Sequence, residues 1–146
     1  MTTATQILKS KTDKSVYSTT PSSSVFDAVK LMAEKNVGAL VVMEGGAIVG
    51  VVTERDYARK IVLMARSSKE TLVREIMTSP VMYVQPDRTS EECMALMTEY
   101  RVRHLPVMDK GEVIGLVSIG DLVKDVISEQ KFIIQQLEQY IAGRPG

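Results

Sequence analysis

The sequence contains an internal repeat: residues 21–62 align without a gap on residues 86–127, at an offset of 65 positions. Most aligned pairs are identical or exchange like for like. A repeat that stays in register over such a length predicts two copies of one structural unit. The identical pairs include Pro21/Pro86, Leu31/Leu96, Gly50/Gly115 and Asp56/Asp121.

Each copy predicts the same order of elements: a short opening helix, a short extended segment, a helix, a β-hairpin and a closing helix. In the first copy these elements are, in the same order, residues 5–9, 16–19, 24–35, 39–43 with 47–52, and 56–64. In the second copy they are residues 72–77, 81–84, 89–100, 105–108 with 112–117, and 121–127. We therefore predict one domain over residues 5–64, a linker over 65–71, a second domain over 72–127, and an amphipathic helix over 128–142.

Composition excludes several classes of protein. A hydrophobic content of 45% suffices for a core, and 18 basic residues balance 18 acidic ones. The single cysteine, Cys93, excludes an intramolecular disulfide, and we expect it in the core. With one histidine as well, a Cys/His zinc site is excluded, and we predict no metal. Neither a signal peptide nor a membrane span is predicted, so we expect a cytoplasmic protein.

The pattern Ser/Thr-x-x-Asp/Glu occurs at four predicted helix starts, where a capping box is the simplest interpretation. Two of the four, Thr53 with Asp56 and Ser118 with Asp121, directly follow a buried strand. Helix N–H groups exposed at such a junction favour phosphate. A neighbouring carboxylate can accept hydrogen bonds from both hydroxyls of a ribose. These two sites are therefore either structural caps or the edge of a nucleotide site.

The repeat, its closing pattern Gly-x-x-Ser/Thr-x-x-Asp, and Arg103-His104-Leu105-Pro106-Val107 together resemble a tandem pair of CBS domains, or Bateman module. Residues 53–57 are similar to a version common in bacterial stand-alone CBS proteins, whereas residues 38–41 depart from the pattern. The resemblance implies an α/β (α+β) fold. Two pseudo-symmetric β-α-β-β-α units would pack sheet to sheet, leave two clefts, and be followed by the C-terminal helix.

The resemblance also implies an adenosine-containing ligand: AMP, ADP or ATP foremost, with NAD or S-adenosylmethionine as alternatives. Asp56 and Asp121 would then hold ribose hydroxyls, and Thr53 and Ser118 would bind ribose or phosphate. The residues expected to complete the sites are Val16, Tyr17, Met82 and Tyr83 at the base, and Arg103, His104, Arg55 and Lys124 at the phosphates. For His104 a structural role as a hydrogen-bond donor remains the alternative.

The two clefts should differ, because Arg103-His104 in the second copy align with Gly38-Ala39 in the first, and Arg55 in the first copy aligns with Gly120 in the second. Arginine makes bidentate phosphate contacts that glycine cannot make, so one cleft should bind phosphorylated adenosine better.

We predict a regulatory module without catalytic residues, which responds to its ligand by a shift between conformations, forms a homodimer and acts on an unknown regulated protein. One alternative is a small enzyme or an enzyme accessory subunit that uses a bound adenine nucleotide or NAD. Another is a nucleic-acid-binding or purely structural module, which the zero net charge and few aromatic residues disfavour.

Overall fold

The computed structural model describes residues 2–142 and has a mixed α+β architecture, as predicted. Over these residues the α-helices are α1 (Ala4–Ser10), α2 (Val25–Lys35), α3 (Glu54–Tyr57), α4 (Ser90–Tyr100) and α5 (Ile119–Ile141). The strands are β1 (Ser18–Thr19), β2 (Ala39–Glu44), β3 (Ala47–Thr53), β4 (His104–Asp109) and β5 (Glu112–Ser118). A π-helical turn, Ala58–Val62, follows α3, and a 3-10 turn, Val73–Glu75, precedes α4.

The chain divides into two compact units that do not follow the order of the repeats. Within the described residues, unit 1 comprises 2–14, 84–105 and 117–142, and unit 2 comprises 15–83 and 106–116. Unit 1 therefore combines the opening helix of the first repeat with the helices of the second. The domain boundaries drawn from the repeat remain a prediction about the sequence.

Unit 2 contains a three-stranded sheet in which β2 is central. Strand β1 pairs with β2 in parallel, and β2 pairs with β3 in an antiparallel hairpin. Both residues of the hairpin turn, Gly45 and Gly46, have positive φ values of 58° and 81°. A two-residue turn of this kind matches the twist of the flanking strands and favours glycine at both positions. The predicted hairpin is therefore confirmed in the first repeat.

The core of unit 2 lies between α2 and the sheet. Ser24 caps the start of helix α2, since its hydroxyl accepts the Asp27 backbone N–H, and Asn36 follows the helix in the left-handed conformation. The apolar side chains that this helix turns inward pack on those of β2 and β3, with the π-helical and 3-10 turns closing the cluster. The buried members are Val25, Ala28, Met32, Leu40, Val42, Val52, Ile61, Val73 and Ile76.

The opening segment of the second repeat packs on the first repeat, within unit 2. The backbone N–H of Val73 donates to the carbonyl of Ser23 at 2.9 Å, and that of Arg74 donates to the carbonyl of Pro21 at 3.1 Å. These bonds attach the 3-10 turn to the chain just before α2.

The opening helix of the first repeat makes the same attachment in unit 1. The backbone N–H of Ala4 donates to the carbonyl of Arg88 at 2.7 Å, and that of Thr5 donates to the carbonyl of Pro86 at 3.1 Å. Pro86 and Arg88 are the repeat equivalents of Pro21 and Ser23. The two repeats have therefore exchanged their opening segments.

Unit 1 is built on α5, which α1 and α4 both contact. Cys93 is fully buried on α4, which confirms its predicted place in the core, and burial raises the pKa of its thiol. The other buried apolar residues of this unit are Ala4, Ile7, Val84, Met97, Leu105, Val117 and Leu122.

Several predicted elements differ from the structure. The opening helix predicted over 72–77 forms only the 3-10 turn Val73–Glu75. No strand forms over residues 81–84, where only Val84 makes a single bridge. The predicted helix over 56–64 is instead α3 followed by the π-helical turn. The two helices predicted over 121–127 and 128–142 are one, α5, which no glycine or proline interrupts after Gly120.

Candidate functional site

The junction between β3 and α3 brings Thr53 and Asp56 together in a complete capping box. The Thr53 hydroxyl accepts the Asp56 backbone N–H at 3.1 Å, and Asp56 Oδ2 accepts the Thr53 backbone N–H at 3.0 Å. The Thr53 hydroxyl also donates to Asp56 Oδ2 at 3.1 Å. The capping interpretation of this motif is confirmed. It places the Asp56 carboxylate at the start of α3, directly after β3.

The junction between β5 and α5 repeats this arrangement in unit 1. Asp121 Oδ2 accepts the Ser118 backbone N–H at 2.8 Å, and the Ser118 hydroxyl accepts the Asp121 backbone N–H at 3.2 Å. Both junctions also make an equivalent backbone hydrogen bond, in which the first N–H of the closing helix donates to a carbonyl just before the hairpin. Ile119 donates to the carbonyl of Arg103 at 2.9 Å, and Glu54 donates to that of Gly38 at 3.0 Å.

In unit 2 the cation next to the carboxylate is Lys60. Its ammonium lies 3.4 Å from Asp56 Oδ1 and also donates to the carbonyl of Ile76 at 2.8 Å. The Asp56 side chain is only 12% exposed, so protein groups rather than water surround most of its carboxylate. Lys60 was not predicted as a site residue, although its spacing of four residues from Asp56 on a helix is a signal for such a pair.

In unit 1 the corresponding cation is Lys11, from the end of α1. Its ammonium lies 3.1 Å from Asp121 Oδ2, and both side chains are less than one third exposed. Lys11 was also not predicted. No sequence signal identifies it, because the pair depends on the exchanged opening segment.

His104 and Arg103 belong to the same group of charges in unit 1. His104 is half-buried at the start of β4, and burial lowers the pKa of its imidazole below the ordinary value. The Asp121 carboxylate acts in the opposite direction, whereas Lys11 and Arg103 lower this pKa further. His104 is therefore within the electrostatic influence of Asp121, Lys11 and Arg103.

The remaining predicted residues divide between the units. Arg103 and Lys124 are exposed in unit 1, and half-buried Arg55 is in unit 2. Half-buried Val16 and Tyr17 directly precede β1, and the Tyr17 carbonyl accepts the backbone N–H of Val41 at 3.2 Å.

Met82 and Tyr83 lie outside any strand, where Met82 is half-buried and Tyr83 is 52% exposed. Their contact with a base, like the ligand roles of the other site residues, remains a prediction.

Within residues 2–142, no group of three or more His, Cys, Asp or Glu side chains is arranged to hold a metal ion. Nor does any helix of that part of the chain have the length and apolarity needed to cross a membrane.

The CBS domain family matches the chain twice, over residues 8–63 and 73–128. The two matches coincide with the two repeats and end just beyond the two capped junctions. The chain belongs to the CBS domain family and contains two CBS domains in tandem. The resemblance seen in the sequence is thereby confirmed.

Relatives extend over almost the whole chain. The mitochondrial CBS domain-containing protein CBSX3 of Arabidopsis thaliana is 45% identical, over 97% of this chain and 73% of its own. The CBS domain-containing protein YhcV of Bacillus subtilis is 31% identical, over 79% of this chain and 81% of its own.

Solved structures share the fold. A candidate signal-transduction protein with CBS domains from Burkholderia ambifaria superimposes with a TM-score of 0.85 at 61% identity, covering 88% of this chain and 96% of that one. The CBS domain pair of protein MJ0100 superimposes with a TM-score of 0.76 at 24% identity, covering 88% and 98%. That pair was solved in complex with 5′-methylthioadenosine and S-adenosyl-L-methionine. At this identity the likeness establishes the fold alone.

Proposed function

We propose that this CBS pair is a regulatory module that binds an adenosine-containing ligand and catalyses no reaction. One observation carries the proposal. Each repeat places an aspartate, Asp56 or Asp121, in the capping box of a helix that directly follows a strand, beside a lysine. This set of donors and acceptors suits a ribose next to a phosphate. We favour AMP, ADP or ATP, with NAD or S-adenosylmethionine as alternatives.

The aspartates would accept hydrogen bonds from the ribose hydroxyls, while Thr53 and Ser118 contact ribose or phosphate. Arg55 and Lys124 would supply further charge to the phosphates. The base would lie against the backbone at residues 16–17 and 82–83.

We expect the two sites to bind phosphate unequally. Lys11 pairs with Asp121, and the charges of Asp121, Lys11 and Arg103 all act on the pKa of His104. The repeat equivalents of Arg103 and His104 are Gly38 and Ala39, which carry no charge. The site at Asp121 should therefore prefer the more highly phosphorylated adenosine.

The signal would be a shift in population between conformations that differ in ligand affinity. The adenosine ligands of the MJ0100 pair support this class of ligand on a shared fold. We further propose that the protein is a homodimer, acts in the cytoplasm, and reports to a separate regulated protein.

Calorimetric titration with AMP, ATP, NAD and S-adenosylmethionine tests the proposal, together with thermal unfolding in each ligand. Wild-type protein should bind at least one of them and unfold at a higher temperature, since binding to the folded state stabilises it. Asp56→Ala combined with Asp121→Ala should abolish this shift, and chromatography should recover the nucleotide unchanged.

The matched control is Glu92→Ala. Glu92 completes the same kind of capping box with Thr89 at the start of α4, and it pairs with Arg88 at 2.7 Å, but no strand leads into this helix. The variant should lose a helix cap and still bind the ligand with the affinity of the wild type. Full binding by the double aspartate variant, or consumption of the nucleotide, would contradict the proposal.

A further inference from the structure

The second half of α5 presents a long apolar surface. All residues from 130 to 142 are exposed, although α5 is one continuous helix from Ile119 to Ile141. The start of the helix is anchored, since Leu122 is fully buried and the Thr2 hydroxyl donates to Glu129 at 2.7 Å. Its second half therefore extends from a fixed base and keeps its apolar side chains in contact with water.

These side chains follow a heptad pattern. Residues with alternating spacings of four and three lie along one stripe of the helix, as in the seam of a coiled coil. The stripe consists of Val123, Ile127, Gln130, Ile134, Leu137 and Ile141. Ile134 is 53% exposed, Leu137 is 56% exposed, and Ile141 is 83% exposed. A stripe of this kind fits a second helix that has the same pattern.

The residues beside the stripe favour a second copy of this helix in antiparallel orientation. When Ile134 of one copy faces Leu137 of the other, Lys131 faces Glu138 on both sides of the pair. In the same register Ile133 faces Tyr140. A parallel pair would instead place Glu138 opposite Ile133 and form no ion pair. Opposite charges at these flanking positions determine partner choice and orientation in coiled coils.

We propose that residues 130–141 of α5 pair with the same residues of a second copy as an antiparallel two-helix coiled coil. Each copy contributes the same surface, so the contact closes on itself and yields a dimer. This inference specifies a surface for the homodimer proposed above and does not depend on the ligand. A chain that dimerises through another surface would contradict this inference alone.

Charge reversal in the full chain tests the pairing. Lys131→Glu and Glu138→Lys each place like charges opposite one another twice, and each should weaken dimerisation roughly tenfold or more at low salt. An equimolar mixture of the two variants should restore it, because the mixed pair regains both ion pairs. Sedimentation equilibrium at 20 to 200 mM salt measures the dissociation constants. The control, Gln135→Glu with Gln136→Glu, adds the same negative charge away from the stripe and should leave dimerisation unchanged.

Distances between spin labels test the orientation. In the antiparallel register residue 135 lies near residue 136 of the second copy, whereas residue 128 lies far from its own counterpart. Labels at Gln135→Cys should therefore be closer together than labels at Ser128→Cys, by roughly 10–15 Å at 1.5 Å of rise per residue. Cys93 is fully buried and should not react with the label.

Equal distances at the two positions would contradict the antiparallel pair. So would a monomer at all concentrations, a dimer unaffected by either charge reversal, or a surface that binds only lipid vesicles or another protein.

Discussion

The ammonium of Lys11, at the end of α1, lies 3.1 Å from the carboxylate of Asp121, at the start of α5. This pair connects the first helix of the chain to the capped junction of the second repeat. In unit 2 the equivalent carboxylate, Asp56, pairs with Lys60 on its own helix. The repeat equivalent of Lys60 is Asp125, so α5 has no lysine at this position. The exchanged opening helix supplies the cation that the second repeat lacks.

Lys11→Gln should therefore lower the free energy of unfolding by about 1 kcal/mol, within the range for a partly buried ion pair. A double-mutant cycle with Asp121→Asn, measured by urea unfolding, should give a coupling energy of similar size. Lys9→Gln is the control, because Lys9 is an exposed lysine of the same helix. A coupling energy indistinguishable from zero would show that the ion pair does not stabilise the protein.

His104 should make the stability of the protein depend on pH. Burial holds the pKa of His104 in the folded protein below its ordinary value of 6.5, so between the two values the unfolded chain binds more protons. The free energy of unfolding should then fall as pH decreases from about 7 through the folded-state pKa. Urea unfolding between pH 5 and pH 8 measures this slope, which His104→Gln should reduce.

The pKa of His104 also depends on the charges of Asp121, Lys11 and Arg103. The free energy of unfolding is therefore compared between wild type and His104→Gln at each pH. If the imidazole instead bound its proton more tightly in the folded state, His104→Gln would steepen the loss of stability at low pH. That outcome would mean that the attraction of Asp121 outweighs burial.

The sequence was sufficient for those features that depend on residues close together in the chain. Capping pairs span three residues and hairpin turns span two, so Thr53 with Asp56 and the turn at Gly45-Gly46 were visible as patterns. The offset of 65 extended these predictions to the second repeat.

Features that depend on distant residues could not be predicted. The exchange of opening segments is made by backbone hydrogen bonds such as Ala4 to Arg88, which leave no trace in side-chain patterns. Lys11 as the partner of Asp121 follows from that exchange. The continuity of α5 was missed for a different reason: the repeat ends at Ile127, so the rest of the chain was predicted as a separate helix beginning at Ser128. Its hydroxyl instead donates to the carbonyl of Lys124 at 3.0 Å and is accommodated within the helix.

The turn between β4 and β5 contains a residue under backbone strain. Lys110 has a φ of 52° and occupies the position of Gly45 in the other hairpin, where φ is 58°. A left-handed conformation costs a residue with a Cβ about 1 kcal/mol or more relative to glycine. Lys110→Gly should therefore raise the free energy of unfolding by about 1 kcal/mol, as measured in urea. Lys110→Ala keeps the Cβ and should bring no such gain; equal gains from both variants would refute the strain.

Glycine-to-alanine substitutions at two positions should have opposite effects. A Cβ at Gly50 in β3 would lie 2.6 Å from Met77 Sδ and 3.2 Å from the carbonyl oxygen of Thr78. Gly50→Ala should thus lower the free energy of unfolding by about 1–3 kcal/mol, the usual cost of overpacking. At Gly120 in α5, the nearest atom to a Cβ is the Ser118 hydroxyl oxygen at 3.6 Å. Gly120→Ala should stabilise the protein by about 0.5–1 kcal/mol, since alanine restricts the unfolded chain more than glycine does.

Met77→Ala separates the two parts of the contact at Gly50. It removes the Met77 sulfur but leaves the Thr78 carbonyl in place. In the Met77→Ala background, Gly50→Ala should therefore cost less stability than in the wild type, but still cost some. Thermal and urea unfolding of the single and double variants give the coupling energy between the two sites. Strictly additive losses would mean that Met77 moves aside without cost and that the backbone contact alone excludes a side chain at Gly50.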